Sequence, residues 1–527
     1  MTQVFSPDHR GAGLLLHVTS LPSPYGIGDL GPGASAWIDL LCDAGQGWWQ
    51  ALPLGPTGYA NSPYQPMSSF AGNWLLISPD ALIEEGLLQA SDCEGPAFPE
   101  NFVDYDAVVT FKRSLLERAW RNFSRGNRPD LRPAYEQFCH SQSHWLDDYA
   151  LFRALKVRHN GADYIEWPTE LVRRDPDAMA QAGRELETEI GEVRLTQFLL
   201  FRQGERLKDY AHAKGLRLIG DLPFFAAPDS SDVWANPELF LLDERRRPRF
   251  VAGVPPDYFS AQGQLWGNPV YDWDVLKRTG YRWCLDRIRA LLAHVDVIRL
   301  DHFRGFAAAW YVPAGSPTAQ SGKWVSGPGA DFFEAVEREF GGLPFIAEDL
   351  GMITADVSEL RDRYHLPGMR VLQFGFDGDP NNPHLPHNYV QNSVAYTGTH
   401  DNNTTRGWFE ALPEGQKQLV RNYLGRSSGT SDGIGPAFIR LSSASASALS
   451  IAPLQDVLDL AAEARMNVPG TAEGNWRWRC TESMLSASNF CWLRKLTRAC
   501  CRWSDSPGDV RVDHRDPCDE YTPIHVS

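Results

Sequence analysis

Eight short apolar runs, each followed by a polar or Gly/Pro-rich segment, alternate with amphipathic stretches along the chain. Buried parallel strands form continuous apolar runs, and the helices that alternate with them cover the sheet. Eight such units are the number that closes a (β/α)₈ barrel. The sequence therefore predicts an α/β fold of the (β/α)₈ TIM-barrel class, with strands within residues 13–18, 49–54, 216–219, 295–300, 345–347, 369–374, 394–397 and 448–452.

Uneven spacing of these runs indicates large insertions in the barrel. An ordinary loop between strand and helix has about 2–6 residues, so the stretch between the second and third runs is far too long. Much of it has helical periodicity, and we expect a helical subdomain over residues 76–210 on the catalytic face. Residues 226–275 are rich in Pro, Gly and aromatics and are predicted to be loop. The barrel then comprises residues 1–75 and 211–502, and the polar segment 503–527 is expected to be disordered.

The charge and cysteine content restrict the partners and the compartment. The formal net charge is −16, and such a chain repels nucleic acid and anionic membranes. No apolar run approaches the roughly 18 residues of a membrane span, and residues 1–10 lack the basic start of a signal peptide. Cys42, Cys93, Cys139 and Cys284 are scattered singly, as in reduced proteins. A cytoplasmic protein with a neutral substrate is expected.

Carboxylates recur where the predicted strands end. Asp221, Asp301, Glu348, Asp401 and Asp456 all follow the apolar runs. The carboxyl ends of barrel strands form the rim that holds the active site in this fold. Because like charges in one mouth repel each other, a purely structural reason for the arrangement is hard to find. Each residue taken singly could still be a helix N-cap or a loop anchor.

Asp301 and Glu348 follow the fourth and fifth predicted strands. Neighbouring strands lie about 4.8 Å apart, and retaining glycosidases need two carboxyl groups about 5–5.5 Å apart, one as nucleophile and one as acid/base. Adjacent strand ends can supply that separation. Arg299 beside Asp301 could be an ordinary ion pair, and residues 400–403 could be a polar turn.

Aromatic loops offer flat faces for stacking against sugar rings, around residues 59–64 and 255–269. The alternative is that these side chains only pack their loops. Other motifs fail: residues 377–388 begin like a calcium loop but lack Gly at the sixth position and Glu at the twelfth. The run GRSSG at 425–429 lacks the strand that precedes a serine nucleophile. Neither a metal nor a cofactor is predicted.

With these residues in view, the chain resembles the amylomaltases of glycoside hydrolase family 77, which are 4-α-glucanotransferases. The resemblance spans residues 17 to 479 in one order, and motifs this numerous are specific. The matching stretches are HVTSLPSPYGIGDLG at 17–31, LPLGPTG at 52–58, the loop 253–268, RLDHFRG at 299–305, IAEDLG at 346–351, GTHDN at 398–402, ARMNVPGT at 464–471 and GNWRWR at 474–479.

The resemblance implies a role for each matching residue. It makes Asp301 the nucleophile, Glu348 the general acid/base and Asp401 the transition-state stabiliser. The substrate-binding residues that it implies are Arg299 and His400 beside the nucleophile, Asp221, the acceptor-side residues Ser62, Tyr64 and Asp377, Tyr59 in a second glucan site, and Tyr258, Phe259 and Trp266 in a loop over the cleft. The family has no obligate metal or cofactor. Pro228 departs from the family, in which a polar residue is common at this position.

The activity implied is transfer of α-1,4-glucan segments from a maltooligosaccharide to the 4-hydroxyl of an acceptor glucan or glucose. It would proceed by retaining double displacement through a covalent intermediate. We expect carboxylate neighbours to raise the pKa of Glu348, which must be protonated in the first step. An α-glucan hydrolase that uses the same carboxylates is the alternative. A second alternative is a non-catalytic glucan-binding barrel. That alternative would require that the triad of Asp301, Glu348 and Asp401 be incomplete. The sequence makes no prediction of oligomeric state.

Overall fold

The computed structural model of the protein describes residues 10–256, 261–426 and 431–503. Twelve strands lie in these residues: β1 (Gly11–Leu15), β2 (Trp48–Gln50), β3 (Arg217–Leu222), β4 (Phe250–Val254), β5 (Gln264–Pro269), β6 (Val297–Leu300), β7 (Ala308–Pro313), β8 (Lys323–Ser326), β9 (Phe345–Ala347), β10 (Gly368–Val371), β11 (Ser393–Tyr396) and β12 (Leu449–Pro453).

The same residues contain eighteen α-helices, and 3-10 turns lie between several of them. The α-helices are α1 (Pro32–Asp43), α2 (Pro79–Glu84), α3 (Tyr105–Ser124), α4 (Arg132–Ser141), α5 (Ser143–Arg158), α6 (Thr169–Val172), α7 (Pro176–Glu185), α8 (Glu187–Ala213), α9 (Ser231–Ala235), α10 (Trp273–Arg278), α11 (Arg282–Leu292), α12 (Ala330–Phe340), α13 (Ala355–Arg363), α14 (Thr405–Ala411), α15 (Glu414–Tyr423), α16 (Ile434–Ala444), α17 (Leu454–Val457) and α18 (Ala487–Ala499).

Eight strands form a closed parallel barrel in the order β1-β12-β11-β10-β9-β6-β3-β2. Each of the eight predicted apolar runs overlaps one of them, so the predicted (β/α)₈ fold is confirmed. Barrel strands that are consecutive in the chain lie side by side, and β12 closes the ring by pairing with β1. The carboxyl ends of all eight strands therefore point to the same rim.

Alternation along each strand divides its side chains between the barrel interior and the surrounding helices. In β6, Val297 belongs to the interior cluster, whereas Ile298 and Leu300 pack against the helices. In β9, Ile346 points inward and Phe345 outward. Burying each such apolar side chain stabilises the fold by about 1.5–3 kcal/mol. This alternation also determines which polar residues at the rim face the interior.

Seven helices, α2 to α8, lie between β2 and β3. The longest, α8, has 27 residues and packs against α1, α3, α4 and α5. Its buried face includes Leu195, Phe198 and Leu199. Helix α8 then ends directly before β3, so it serves both as the centre of the helical insertion and as the cover of the barrel.

The segment 226–275 is not simply loop, and the sequence-based expectation is wrong for part of it. It contains β4 and β5, which join β7 and β8 in an antiparallel sheet of order β5-β4-β7-β8. β4 pairs on one side with β5, within the segment, and on the other side with β7, which comes after the fourth barrel strand. The pairing with β7 is non-local, and no pattern within the segment reveals it. The sheet stands beside the rim, next to β6.

A buried arginine fastens the chain at the amino-terminal end of the barrel. Arg502 is 1% exposed, and its guanidinium donates to the backbone carbonyls of Gly11 at 2.8 Å, Ser443 at 2.7 Å and Ser447 at 2.9 Å. Of the predicted tail, residues 503–527, all but Trp503 lie outside the described residues. Cys42, Cys93, Cys139 and Cys284 are free thiols, as predicted. Among the described residues, no helix is long and apolar enough to cross a membrane.

Candidate active site

Strand alternation brings the predicted catalytic residues together inside the rim. Leu300 of β6 pairs with Ala347 of β9, and both side chains point outward. Asp301 and Glu348 are the next residues on these adjacent strands, so they occupy equivalent positions and face the interior. The prediction that they follow neighbouring strands is confirmed by this register.

Arg299 connects two carboxylates within the barrel. Arg299 is 4% exposed and Asp221 2%, and the two residues are paired across β6 and β3. The Nη1 atom of Arg299 lies 2.9 and 2.8 Å from the two carboxylate oxygens of Asp221 and 3.0 Å from Oδ1 of Asp301. The ion pair with Arg299 therefore holds Asp301 in one orientation, and Asp221 holds Arg299 from the other side as a buried counter-charge.

Glu348 is half-buried and occupies an environment that favours its protonated form. Burial raises its pKa well above the usual range, and Asp301 raises it further, although Arg299 opposes both. The expected direction is confirmed, but burial rather than the neighbouring carboxylates is the largest cause. Glu348 Oε2 accepts a hydrogen bond of 2.7 Å from the backbone N–H of His302. A carboxyl group of this kind suits a general acid at neutral pH.

The backbone turns sharply after Asp301. His302 has φ 47°, in the left-handed region that is uncommon for a residue with a side chain. The turn directs the His302 N–H towards Glu348 and lets the His302 ring meet Trp266 edge to face at 4.9 Å. Strained backbone of this kind concentrates at functional sites.

His400 and Asp401 lie on the loop after β11. Asp401 is exposed, and its Oδ1 accepts a 2.6 Å hydrogen bond from Asn467 Nδ2. Arg465 donates to the Asp401 carbonyl at 2.7 Å. We assigned no role to Asn467 or Arg465 from the sequence, although both lie in the conspicuous ARMNVPGT run. Only the fold shows that this run supports Asp401.

Tyr64 joins the acid-rich centre to the aromatic wall. Its hydroxyl donates to Asp221 Oδ2 at 2.7 Å, and its ring stacks on His400 with centroids 5.0 Å apart. Burial raises the pKa of Tyr64 well above its usual value, so the hydroxyl stays a donor. The Ser62 hydroxyl accepts the backbone N–H of Tyr64 and orders the loop. The stacked rings of His400 and Tyr64 form one continuous aromatic surface.

The other predicted binding residues are placed less centrally. Trp266 lies on β5 beside His302, at the edge of the mouth. Tyr59 is 77% exposed. Asp377 is exposed in a loop, where its carboxylate accepts from Asn382, and no hydrogen bond within the described part of the chain joins it to the catalytic carboxylates. Tyr258 and Phe259 lie outside the described residues.

One strand-end carboxylate has a structural role. Asp456 is 1% exposed, and it accepts hydrogen bonds from the Thr397 hydroxyl and from both the backbone N–H and the hydroxyl of Thr405. It thereby anchors the start of α14. For this residue the loop-anchor alternative applies, because sequence position alone does not distinguish a carboxylate that faces the cleft from one that caps a helix.

In the described ranges 10–256, 261–426 and 431–503, no group of three or more His, Cys, Asp or Glu side chains is arranged to hold a metal ion. What these residues assemble is a pair of inward carboxylates, a third carboxylate on a loop and an aromatic wall. This set can protonate a leaving group and form a covalent bond to an anomeric carbon.

Known proteins resemble this chain over most of its length. Residues 16–486 match the family model of glycoside hydrolase family 77, described as 4-alpha-glucanotransferase. The 4-alpha-glucanotransferase of Synechocystis sp. is 51% identical over 90% of this chain and 94% of its own length, and that of Thermus thermophilus is 47% identical over 93% and 98%.

A solved structure shares the whole fold. The amylomaltase from Streptococcus agalactiae in complex with acarbose superposes with a TM-score of 0.90 at 37% identity, covering 94% of this chain and 100% of that one. The amylomaltase from Corynebacterium glutamicum, at 17% identity and a TM-score of 0.74, supports the fold alone. The chain therefore belongs to glycoside hydrolase family 77, the 4-alpha-glucanotransferase family.

Proposed function

We propose that the protein transfers α-1,4-glucan segments from a donor maltooligosaccharide to the 4-hydroxyl of an acceptor glucan or glucose. The observation that carries the proposal is the pair Asp301 and Glu348 on adjacent strand ends, with Arg299 bound to Asp301 and burial favouring protonated Glu348. Family membership supports the same activity.

In the first step, an Asp301 oxygen attacks the anomeric carbon of the donor and the glycosidic C–O bond breaks. Glu348 gives its proton to the departing 4-oxygen, so the released chain carries the reducing end. In the second step, Glu348 takes the proton of an acceptor 4-hydroxyl, whose oxygen displaces Asp301 and restores an α-1,4 bond. Asp401, held by Asn467, would bind hydroxyls of the distorted sugar.

The remaining residues would bind the glucan on either side of the cleavage point. Tyr64 and His400 present a stacked pair at the centre, and Arg299 and Asp221 lie beneath them. We assign Ser62 and Asp377 to acceptor contacts and exposed Tyr59 to a second glucan site, on the resemblance stated above. Trp266, beside His302, would shield the intermediate from water and so favour a sugar acceptor over hydrolysis.

Incubation with maltotriose alone tests this function. Transfer predicts glucose plus a ladder of longer maltooligosaccharides, while total reducing ends stay constant. A rise in reducing ends without longer products would instead identify an α-glucan hydrolase. The Asp301→Ala protein is the matched control and should produce neither change.

A further inference from the structure

The strand that carries Trp266 has a bulge beside the mouth of the barrel. Residues 266–268 of β5 lie opposite the single residue Ala252 of β4, because the register of the two strands shifts there. Gly267, at the centre of the bulge, has φ 80°, a left-handed conformation that glycine adopts without strain. Bulges redirect side chains and are frequent next to active sites. In β5 the bulge lets Trp266 and Asn268 contact different parts of the molecule.

Asn268 is fixed by three hydrogen bonds within the protein. The residue is 4% exposed. Its Nδ2 donates to the backbone carbonyl of Ala226 at 2.9 Å and to Gln65 Oε1 at 3.3 Å, and its Oδ1 accepts from Gln65 Nε2 at 3.1 Å. Both amide N–H groups and the amide oxygen of Asn268 are therefore paired. Since a buried amide without partners is costly, the reciprocal amide pair holds its two segments together.

Gln65 belongs to the loop that places Tyr64 at the centre of the site. It directly follows Tyr64, whose hydroxyl donates to the buried Asp221. The loop is tightly closed at Gln65, because a side chain at Gly58 would lie 2.5 Å from the Gln65 carbonyl oxygen. The amide pair therefore connects the residue after Tyr64 to the bulge that carries Trp266.

The position of this link suits it to the second chemical step. In that step a sugar hydroxyl and water compete for the covalent intermediate on Asp301. Trp266 can exclude water only while its strand keeps a constant distance from the central wall formed by Tyr64 and His400. The bulge interrupts the ladder between β4 and β5 at this point, so strand pairing contributes little to holding Trp266. The hydrogen bonds to Gln65 supply that restraint.

We propose that Gln65 and Asn268 are positioning residues that determine whether a sugar or water accepts the glycosyl group. The inference rests on the proposed function, because the choice arises only if the enzyme forms a glycosyl intermediate. Neither side chain needs to touch the substrate, since the pair acts through Tyr64 and Trp266. Breaking the pair lets the mouth widen, which favours water over the larger acceptor.

Variants that remove the amides while keeping side-chain size test the pair. We would measure the ratio of hydrolysis to transfer from maltotriose, using reducing ends and product ladders, in Gln65→Met, Asn268→Leu and the double variant. Loss of one or two hydrogen bonds predicts a rise of about 2- to 10-fold in that ratio for each single variant. Because Gln65 has no amide partner once Asn268 is changed, the double variant should match Asn268→Leu instead of multiplying the two effects.

Two controls separate positioning from general damage to the fold. Gln203→Met removes an amide that bonds the backbone of Ser78 at 2.8 and 3.4 Å in the helical insertion, so it should lower stability but leave the ratio unchanged. The initial burst of fluoride from α-maltosyl fluoride needs only the attack of Asp301, so it should stay within about twofold in Gln65→Met. If Gln65→Met fails to fold, Gln65→Asn, which is one methylene shorter and loses the reach to Asn268, replaces it.

Each outcome of these measurements bears on one claim. An unchanged ratio in Gln65→Met and Asn268→Leu, while the unchanged protein is active in transfer, would overturn the role of the pair. Multiplied effects in the double variant, or an equal rise in Gln203→Met, would overturn it as well. Absence of longer products from the unchanged protein would refute the proposed function itself, and with it any choice of acceptor.

Discussion

The Nη1 atom of Arg299 lies 3.0 Å from Oδ1 of Asp301, while the same atom contacts both carboxylate oxygens of Asp221. One guanidinium thus positions the proposed nucleophile and neutralises a carboxylate that is buried beneath it. The arrangement couples catalysis to stability, because Asp221, which is 2% exposed, would lose the cation that pairs with its buried charge if the arginine were removed.

Changing Arg299→Met should therefore lower the free energy of unfolding and abolish transfer together. Breaking a buried pair costs about 3–5 kcal/mol, which urea unfolding would measure. The double variant Arg299→Met/Asp221→Asn should recover part of the stability but none of the activity. Equal stability of the single and double variants would show that Asp221 does not need its partner.

Glu348→Gln should separate the two chemical steps. Without an acid, transfer from maltotriose should fall by at least about 100-fold. The substrate α-maltosyl fluoride needs no protonation of its leaving group, so Asp301 should still form the intermediate and release fluoride in a burst. A fluoride burst that is also lost would assign Glu348 to something other than acid catalysis.

The raised pKa of Glu348 predicts the shape of the pH profile. Its protonated form is the active one in the first step, so kcat/KM for maltotriose should fall as pH rises through a pKa that burial has moved upward. The alkaline limb should therefore lie well above the usual range of a glutamate. In Glu348→Gln, release of fluoride from α-maltosyl fluoride should lack that limb altogether.

Trp266 should govern the choice between sugar and water as acceptor. Its ring lies against His302 at the mouth, and Trp266→Ala should admit water and raise the ratio of hydrolysis to transfer by at least about twofold. Reducing ends and product ladders from maltotriose measure the two rates. Leu265→Ala, the exposed neighbour on β5, is the control and should leave the ratio unchanged.

Arg502 should contribute to stability without affecting the chemistry. Arg502→Ala leaves several buried carbonyls without a donor, and we expect a loss of about 2–4 kcal/mol in the free energy of unfolding. The remaining folded protein should keep its kcat for maltotriose. Arg278→Ala, an exposed arginine at the end of α10, should cost less than about 0.5 kcal/mol.

The sequence by itself determined the barrel and the rim positions of its acids. A buried strand and the residue after it form a local pattern, so Asp301 and Glu348 could be placed on adjacent strands before any contact was known. Strand alternation, which is equally local, also makes Arg299 point inward. These features depend on a few consecutive residues and on the closure of eight units.

Only the tertiary structure decided which distant residues meet. Tyr64 with Asp221, Asn467 with Asp401, and β4 with β7 all join segments that are far apart in the chain. Nothing in the sequence around Asp456 indicates that its carboxylate anchors α14 instead of facing the cleft. The physical reason is that hydrogen bonds and packing between distant segments depend on three-dimensional proximity, which a local pattern of residues does not encode.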